Sequence, residues 1–435
     1  MTQHGWTGWR AVAGLTALWV SAGSGYGEDA TRVRVIGANP TTATCDAVVV
    51  SNGDLIHSGQ VFPVGTDGKV IGQSPAEQAR AALARLDRSL QAAGSGLAGL
   101  VRVTVYADSD ETAEIVAAEL PSVLPAGTSV ALTLMAGQLP TEPTGAKLSI
   151  DAVAIPLGKP VPPATDKVAP ANPGVRHVAE AATAKPGEFA ELSILPAGDV
   201  LFISGQAEKG ATLEEATDRT LEGLARTLDW LGLGLDDVVE TRSFVAPMEG
   251  DLNRVRERFR HGFANRPVPA STFLEWTAPA PSIEIEYVVS SRKVPLAERL
   301  KRHNLSAEAG DTVAYLTPPW MTASPVFCRA TQVQRGPLVY FGGVAGDPAA
   351  EGGEIRDLFR RLDRTARQAG CDLRHLAKAT YFVSRAELVP QMGKIRPEFY
   401  DPKRPPAASL ATVRGAGGAG VRLDMIGGES PAIAR

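Results

Sequence analysis

One pattern recurs three times along this chain, and any admissible fold must use it three times. A strand-like run ending in small residues appears as Asp54-Leu55-Ile56-His57-Ser58-Gly59-Gln60, then as Val200-Leu201-Phe202-Ile203-Ser204-Gly205-Gln206. The third pass, Leu338-Val339-Tyr340-Phe341-Gly342-Gly343-Val344, is degenerate in its small residues. Ser58 to Ser204 is 146 positions and Ser204 to Gly342 is 138, so each pass has room for one small domain.

Each pass continues in the same order. Ser74-Pro75-Ala76-Glu77 offers an N-cap serine, a proline at the first helical position and a glutamate to close a capping box. Ala79, Ala82, Leu83, Leu86, Leu90 and Ala93 then share one helical face. Leu221, Leu224, Leu228 and Leu231 form the matching stripe in the second pass, and Ile355, Leu358, Phe359, Leu362 and Ala366 in the third. Strands are predicted at 100–106, 238–245 and 377–383, second helices near 111–119, 251–263 and 388–399. Alternating closing strands follow at 147–154, 282–289 and 420–426.

These limits divide the chain into repeats at 31–157, 175–293 and 326–427, joined by segments 158–174 and 294–325. Six prolines between Pro156 and Pro173 make the first connector an extended tether, while the second is expected to carry a helix around Leu296 to His303. Residues 1–27 read as an export signal: Arg10 precedes the apolar run Ala11 to Val20, which small residues follow. The expected location is therefore periplasmic or secreted. A charged fraction of 21% and a hydrophobic fraction of 44% suit soluble domains, and the net charge of -4 gives no broad field for a phosphate backbone. Neither a nucleic-acid partner nor stable membrane insertion is expected. The three cysteines, Cys45, Cys328 and Cys371, are too few for a disulfide framework.

The ordered set of strand, Ser-Gly-Gln, helix, strand, helix, Pro-Ala-x-Ser/Thr and strand resembles the RidA/YjgF family. The residues that carry the likeness are Gly53-Asp54 through Gln60, Pro125-Ala126-Gly127-Thr128 and Ile150-Asp151 in the first pass. Gly198-Asp199 through Gln206, Pro269-Ala270-Ser271-Thr272 and Ile285-Glu286 carry it in the second, Pro405-Pro406-Ala407-Ala408-Ser409 and Leu423-Asp424 in the third. The resemblance implies an α/β (α+β) fold: chorismate-mutase-like domains, each a mixed sheet with two helices on one face. It also implies trimers with a small-molecule cleft at each interface, so three copies in one chain imply an intramolecular pseudo-trimer that runs as a monomer.

In the family's deaminase branch an arginine after the Pro-Ala segment clamps the substrate carboxylate. The matching positions are assigned as Gly127, Ala270 and Ala408, so all three copies lack it, and neither Lys147 nor Arg414 sits in register to replace it. The acid near the end of the last strand is kept as Asp151, Glu286 and Asp424, which the resemblance makes water-positioning catalytic candidates; the alternative is a solvated strand-end acid. Ser58, Ser204, Thr128, Ser271 and Ser409 are the remaining candidates for lining the clefts. Cys45 and Cys328 stand where the family has a cleft-lining Tyr-Ser pair, and two readings are open: cleft thiols that meet an electrophile, or small buried residues. Cys371 reads as structural.

His57, His177, His261, His303 and His375 show no metal-ligand spacing, and no nucleotide fingerprint or Cys-x-x-Cys motif is present, so neither metal nor cofactor is expected. Two functions follow. One is a divergent RidA-like enzyme hydrolysing imine or enamine intermediates without the arginine clamp; the other is a non-catalytic small-molecule-binding protein. The ribonuclease activity sometimes attached to the family is disfavoured by the acidic balance and the lack of a histidine pair.

Overall fold

The computed structural model describes residues 33–158, 174–179, 182–248, 252–278, 282–305, 311–334 and 336–433, together with the two-residue strand Trp19–Val20. The 1–27 segment lies outside the described residues apart from that strand, and so does most of the proline-rich connector. Among the described residues no helix is long and apolar enough to cross a membrane.

Local sequence explains the elements. Ser74 caps the helix Pro75–Ala92 by accepting from the Glu77 amide, while Glu77 reaches back to the Ser74 amide, as the capping-box sequence requires. Thr212 caps Leu213–Trp230 in the same manner through the Glu215 amide. The helix Glu354–Gln368 starts instead at Gly353, whose φ of 87° favours glycine. In the connector 294–325 the predicted helix is present as Leu296–Arg302.

Each pass builds a sheet of identical order. In the first, Leu55–Ser58 lies beside the closing strand Leu148–Ala154, then Leu100–Ala107, then Val130–Ala136. The second repeats this with Val200–Gln206, Ser282–Ser290, Val238–Ala246 and Ala270–Glu275; the third with Leu338–Phe341, Val421–Gly428, Leu376–Val383 and Ala407–Thr412. Within each, the middle pair runs antiparallel and the last pair parallel. Two helices cover one face, where Leu83, Leu86 and Val103, Leu224, Phe259 and Ile285, and Leu358, Phe359 and Leu423 form three separate apolar cores.

Sheet membership does not follow the chain divisions. The paired strands Arg176–Ala179 and Leu192–Leu195, which open the second unit, add to the first unit's sheet through Leu55–Ser58. Val313–Leu316 from the connector and Ala330–Val333, which opens the third unit, add to the second unit's sheet. Val33–Ile36 and Ala47–Val50 close the ring on the third unit's Leu338–Phe341. Each unit thus completes its predecessor's sheet, cyclically.

The inner faces of the three sheets meet in the middle. Because side chains alternate along a strand, Ile150 and Ala152 pack under helices while Ser149, Asp151 and Val153 face inward. Moving along the inner face, an apolar layer comes first (Val101, Val239, Ala377 with Val153, Val288, Ile426). A charged layer follows, and then a second apolar layer around Tyr106, Phe244 and Phe382.

Candidate functional site

The charged layer holds the three acids singled out in the sequence. The Asp151 carboxylate accepts from Tyr106 Oη at 2.5 Å, Arg102 Nη2 at 3.2 Å and Thr272 Oγ1 at 3.2 Å. Glu286 accepts from Ser409 Oγ at 2.7 Å and pairs with Lys378 Nζ at 2.6 Å. Asp424 takes Arg242 Nη1 at 3.2 Å and Arg102 Nη1 at 3.4 Å. A fourth carboxylate, Glu240, receives the His57 Nδ1 proton at 2.6 Å. Burial alone would raise the Glu240 pKa, but the His57 hydrogen bond and the Arg102 charge hold it below the usual carboxylate range. Burial lowers the Lys378 pKa, against the pull of Glu286.

This corrects two expectations. Asp151, Glu286 and Asp424 are not solvated strand ends, and they do not stand on a cleft wall as water-positioning groups. All are buried and ion-paired, and none lines either cleft described below. The cause is the assembly itself: the strand face that would meet water in one isolated unit is covered by the other two units.

Two residues further out on the same inner face, the equivalent positions reach the interfaces, and there the three copies diverge. They are Ser149, Glu284 and Arg422, paired across to Tyr106, Phe244 and Phe382. At the interface of the first and third units a cavity of about 550 Å³ is lined by Thr44, Cys45, Asp46, Gly343, Arg364 and Arg422 among others. Arg422 spends its guanidinium on three carbonyls: those of Ala416 at 2.8 Å, Gly343 at 2.9 Å and Gly417 at 2.9 Å. Arg364, at the mouth, makes no hydrogen bond or ion pair to a described residue.

Between the first and second units a cavity of about 330 Å³ is lined by Gly59, Gln60, Phe62, Phe189, Arg256, Ser271 and Phe273 among others. Here the Ser-Gly-Gln turn docks on the neighbouring unit: the Gln60 amide donates to Ser271 O at 3.0 Å and its side chain exchanges hydrogen bonds with the Phe273 backbone. Gln60 Nε2 also donates to Ser149 Oγ at 2.9 Å. Arg256 lies over the Phe273 ring, 5.6 Å from its centroid, with no hydrogen bond or salt bridge to any described residue.

Between the second and third units Glu284 packs its carboxylate over Gly205, in the space a side chain there would need. The Gly205 amide donates to Ser409 Oγ at 3.0 Å, which ties this turn to the buried Glu286. Burial, and next the negative charge of Glu286, push the Glu284 carboxyl up to about 7.

The other sequence candidates separate. Ser58 Oγ accepts from the Ala152 amide at 2.8 Å inside its own unit, and Ser204 Oγ is buried without a partner, so neither hydroxyl opens on a cleft. Ser271 does line a cleft, with its hydroxyl donating to Pro269 O at 2.7 Å. Cys45 lines the first cavity, but burial, followed by the charge of Asp46, pushes its thiol far up; burial raises Cys328 to about 12. Both are buried free thiols, as is Cys371, and a raised thiol holds back the thiolate that the electrophile-attacking reading needs.

Register corrects the Pro-Ala alignment. Arg102, Glu240 and Lys378 lie opposite Ala131, Ala270 and Ala407. The Ser/Thr positions in register are therefore Thr133, Thr272 and Ser409, and Thr128 lies in the preceding turn, its amide bonded to Pro125 O at 3.0 Å. The clamp positions become Leu132, Ser271 and Ala408 in place of Gly127, Ala270 and Ala408, and still none is cationic. Among the described residues no His, Cys, Asp and Glu grouping could hold a metal ion.

A family model described as Endoribonuclease L-PSP matches residues 38–155. A RutC family protein of Saccharolobus solfataricus is 31% identical over 104 residues, covering 22% of this chain and 81% of the relative. The chain belongs to the RidA/YjgF family. The mitochondrial mmf2 protein of Schizosaccharomyces pombe is 34% identical over 110 residues, covering 24% of this chain and 82% of its own length. Among solved structures, a YjgF-family protein from Neisseria meningitidis is 23% identical at a TM-score of 0.21, covering 28% of this chain and 94% of the other. A Rid-family protein from Yersinia pestis is 21% identical at 0.24, covering 28% and 98%.

Proposed function

We propose that this RidA/YjgF-family chain binds small organic anions in the clefts between its units, with any C=N hydrolysis confined to the interface that holds Glu284. The observation that carries the binding reading is a pair of guanidinium groups, Arg364 in one cleft and Arg256 in the other, that make no hydrogen bond or salt bridge to a described residue and feel Asp357 and Glu142 only at longer range. A carboxylate reaching either gains charge-assisted hydrogen bonds at no cost in broken ones. The absence of a cation at Leu132, Ser271 and Ala408 argues against the orthodox deaminase arrangement in all three copies. Isothermal titration with pyruvate and its neutral isosteres tests this. Saturable binding of the acid, weakened in the Arg256→Met and Arg364→Met double variant, supports the reading. Equal binding of acid and isostere would remove it.

Glu284 favours hydrolysis as a second activity. A carboxyl titrating near neutrality at a unit interface can take a proton from water as the oxygen adds to an imine carbon and pass it to the nitrogen; the carbinolamine's hydroxyl proton then moves to the nitrogen as the C–N bond breaks, ammonia leaves and the carbonyl forms. In a trapping assay with semicarbazide competing for enzymatically generated imines, the protein should lower semicarbazone yield and Glu284→Gln should restore it. A yield unchanged by the protein leaves the binding function alone.

A further inference from the structure

The cleft between the first and second units does not end at its own 330 Å³. A second cavity of about 540 Å³, lined by Val64, Lys69, Val70, Glu142, Pro143 and Thr144, shares Phe62, Arg85 and Arg256 with it. The two cavities adjoin at those three side chains, as an inner and an outer lobe. Arg85 is already spent on Glu191 at 3.2 Å, and Arg260 donates to Gly187 O at 3.2 Å beside the Phe189 ring. That leaves Arg256 as the junction's uncommitted cation. Its burial, and next the charge of Arg260, lower its pKa against the pull of Glu142, so its positive charge is only partly compensated where it stands.

Rings wall the inner lobe. Phe189 and Phe273 meet edge to face with centroids 6.2 Å apart, and Phe62 is 6% exposed. The cavity of the first and third units has no aromatic lining at all. We propose that the two-lobed groove is a site for aryl carboxylates, with the ring seated among Phe62, Phe189 and Phe273 and the carboxylate held by Arg256 from the second unit's second helix. This rests on the anion-binding reading above and deepens it for one cleft. An aromatic group gains from edge-to-face contact with such rings, and a planar guanidinium at the lobe's end takes a carboxylate bidentately. The anchor comes from a helix facing the cleft rather than from the strand position that Leu132, Ser271 and Ala408 occupy, so the carboxylate lies toward the outer lobe.

Titration calorimetry at fixed ionic strength tests the assignment, with 2-naphthylacetate as the probe and acetate and 2-naphthylmethanol as comparators. Binding of the probe should be at least tenfold tighter than either comparator. Arg256→Met should weaken it at least tenfold and Phe273→Leu severalfold, while Arg364→Met in the other cleft leaves it unchanged. Because Arg256 makes no hydrogen bond or salt bridge to a described residue, the variant's melting temperature should lie close to the parent's; if it does not, Arg256→Gln replaces it. Undiminished probe binding in both Arg256 variants overturns the proposal, as does acetate binding equal to the probe. Loss of probe binding only on Arg364→Met would overturn the groove while sparing the anion reading, and failure of every carboxylate to bind would sink both.

Discussion

Arg242 shows what the centre of this molecule demands of a single residue. Its buried guanidinium serves Asp424 at 3.2 Å and Glu286 at 3.4 Å, so removing it leaves Asp424 to Arg102 and Glu286 to Lys378 alone. Arg242→Met should cost about 3–5 kcal/mol in denaturant unfolding, the range for breaking a buried ion pair. The same reasoning makes neutralising Asp151 a folding lesion rather than a catalytic one. Glu284 behaves oppositely. Its folded pKa of about 7 lies above the ordinary glutamate value of about 4.5, so protonation is favoured in the folded state and stability falls as pH rises between those values. The contribution is on the order of 1 kcal/mol, because the carboxyl is part-exposed. Thermal melts at pH 5 and pH 8 should differ less in Glu284→Gln than in the parent. Sequence alternation alone reaches this face: Glu284 and Glu286 share it, and nothing in the spacing says that the inner of the two is sealed among ion pairs while the outer packs over Gly205 at an interface. Arg256 had no legible signal, since a polar residue on an amphipathic helix looks the same whether it faces water or a neighbouring unit.

At the scale of elements, periodicity was enough. The stripes that predicted three long helices are the stripes buried in three cores, and the capping box at Ser74 and Glu77 forms as its residues require. Ser74→Ala should lower stability by about 1 kcal/mol, and Leu224→Ala by about 2–5 kcal/mol, both measurable by chemical denaturation. Register was the weak point. Pro125-Ala126-Gly127-Thr128 imitates the Pro-Ala motif of the other copies, yet the strand begins only at Val130, because the first unit turns through a longer loop before pairing with Leu100–Ala107. A motif four residues long carries no information on where hydrogen bonding starts, and a parallel pair fixes that from its partner strand.

On the scale of the whole molecule, three copies free one another to differ. A homotrimer must place the same residue at all three interfaces; here Ser149, Glu284 and Arg422 occupy equivalent sites, as do Arg102, Glu240 and Lys378 in the interior. The exchange of hairpins was invisible in the sequence for a plain reason: a strand's pattern states which face is buried, not which sheet it joins. That exchange also decides how the chain responds to being cut. If a protease site were placed at residue 165 and cleaved, the left fragment would keep Leu192–Leu195 of the right one in its sheet, and the right fragment would keep Ala47–Val50 of the left. Two nicked halves should therefore co-elute on gel filtration in buffer and part only in denaturant; separation in buffer would show that the hairpins belong to their own units. Like links of a chain closed on itself, the pieces are fastened by reciprocal insertion, and the peptide bond between them is dispensable once folding is complete.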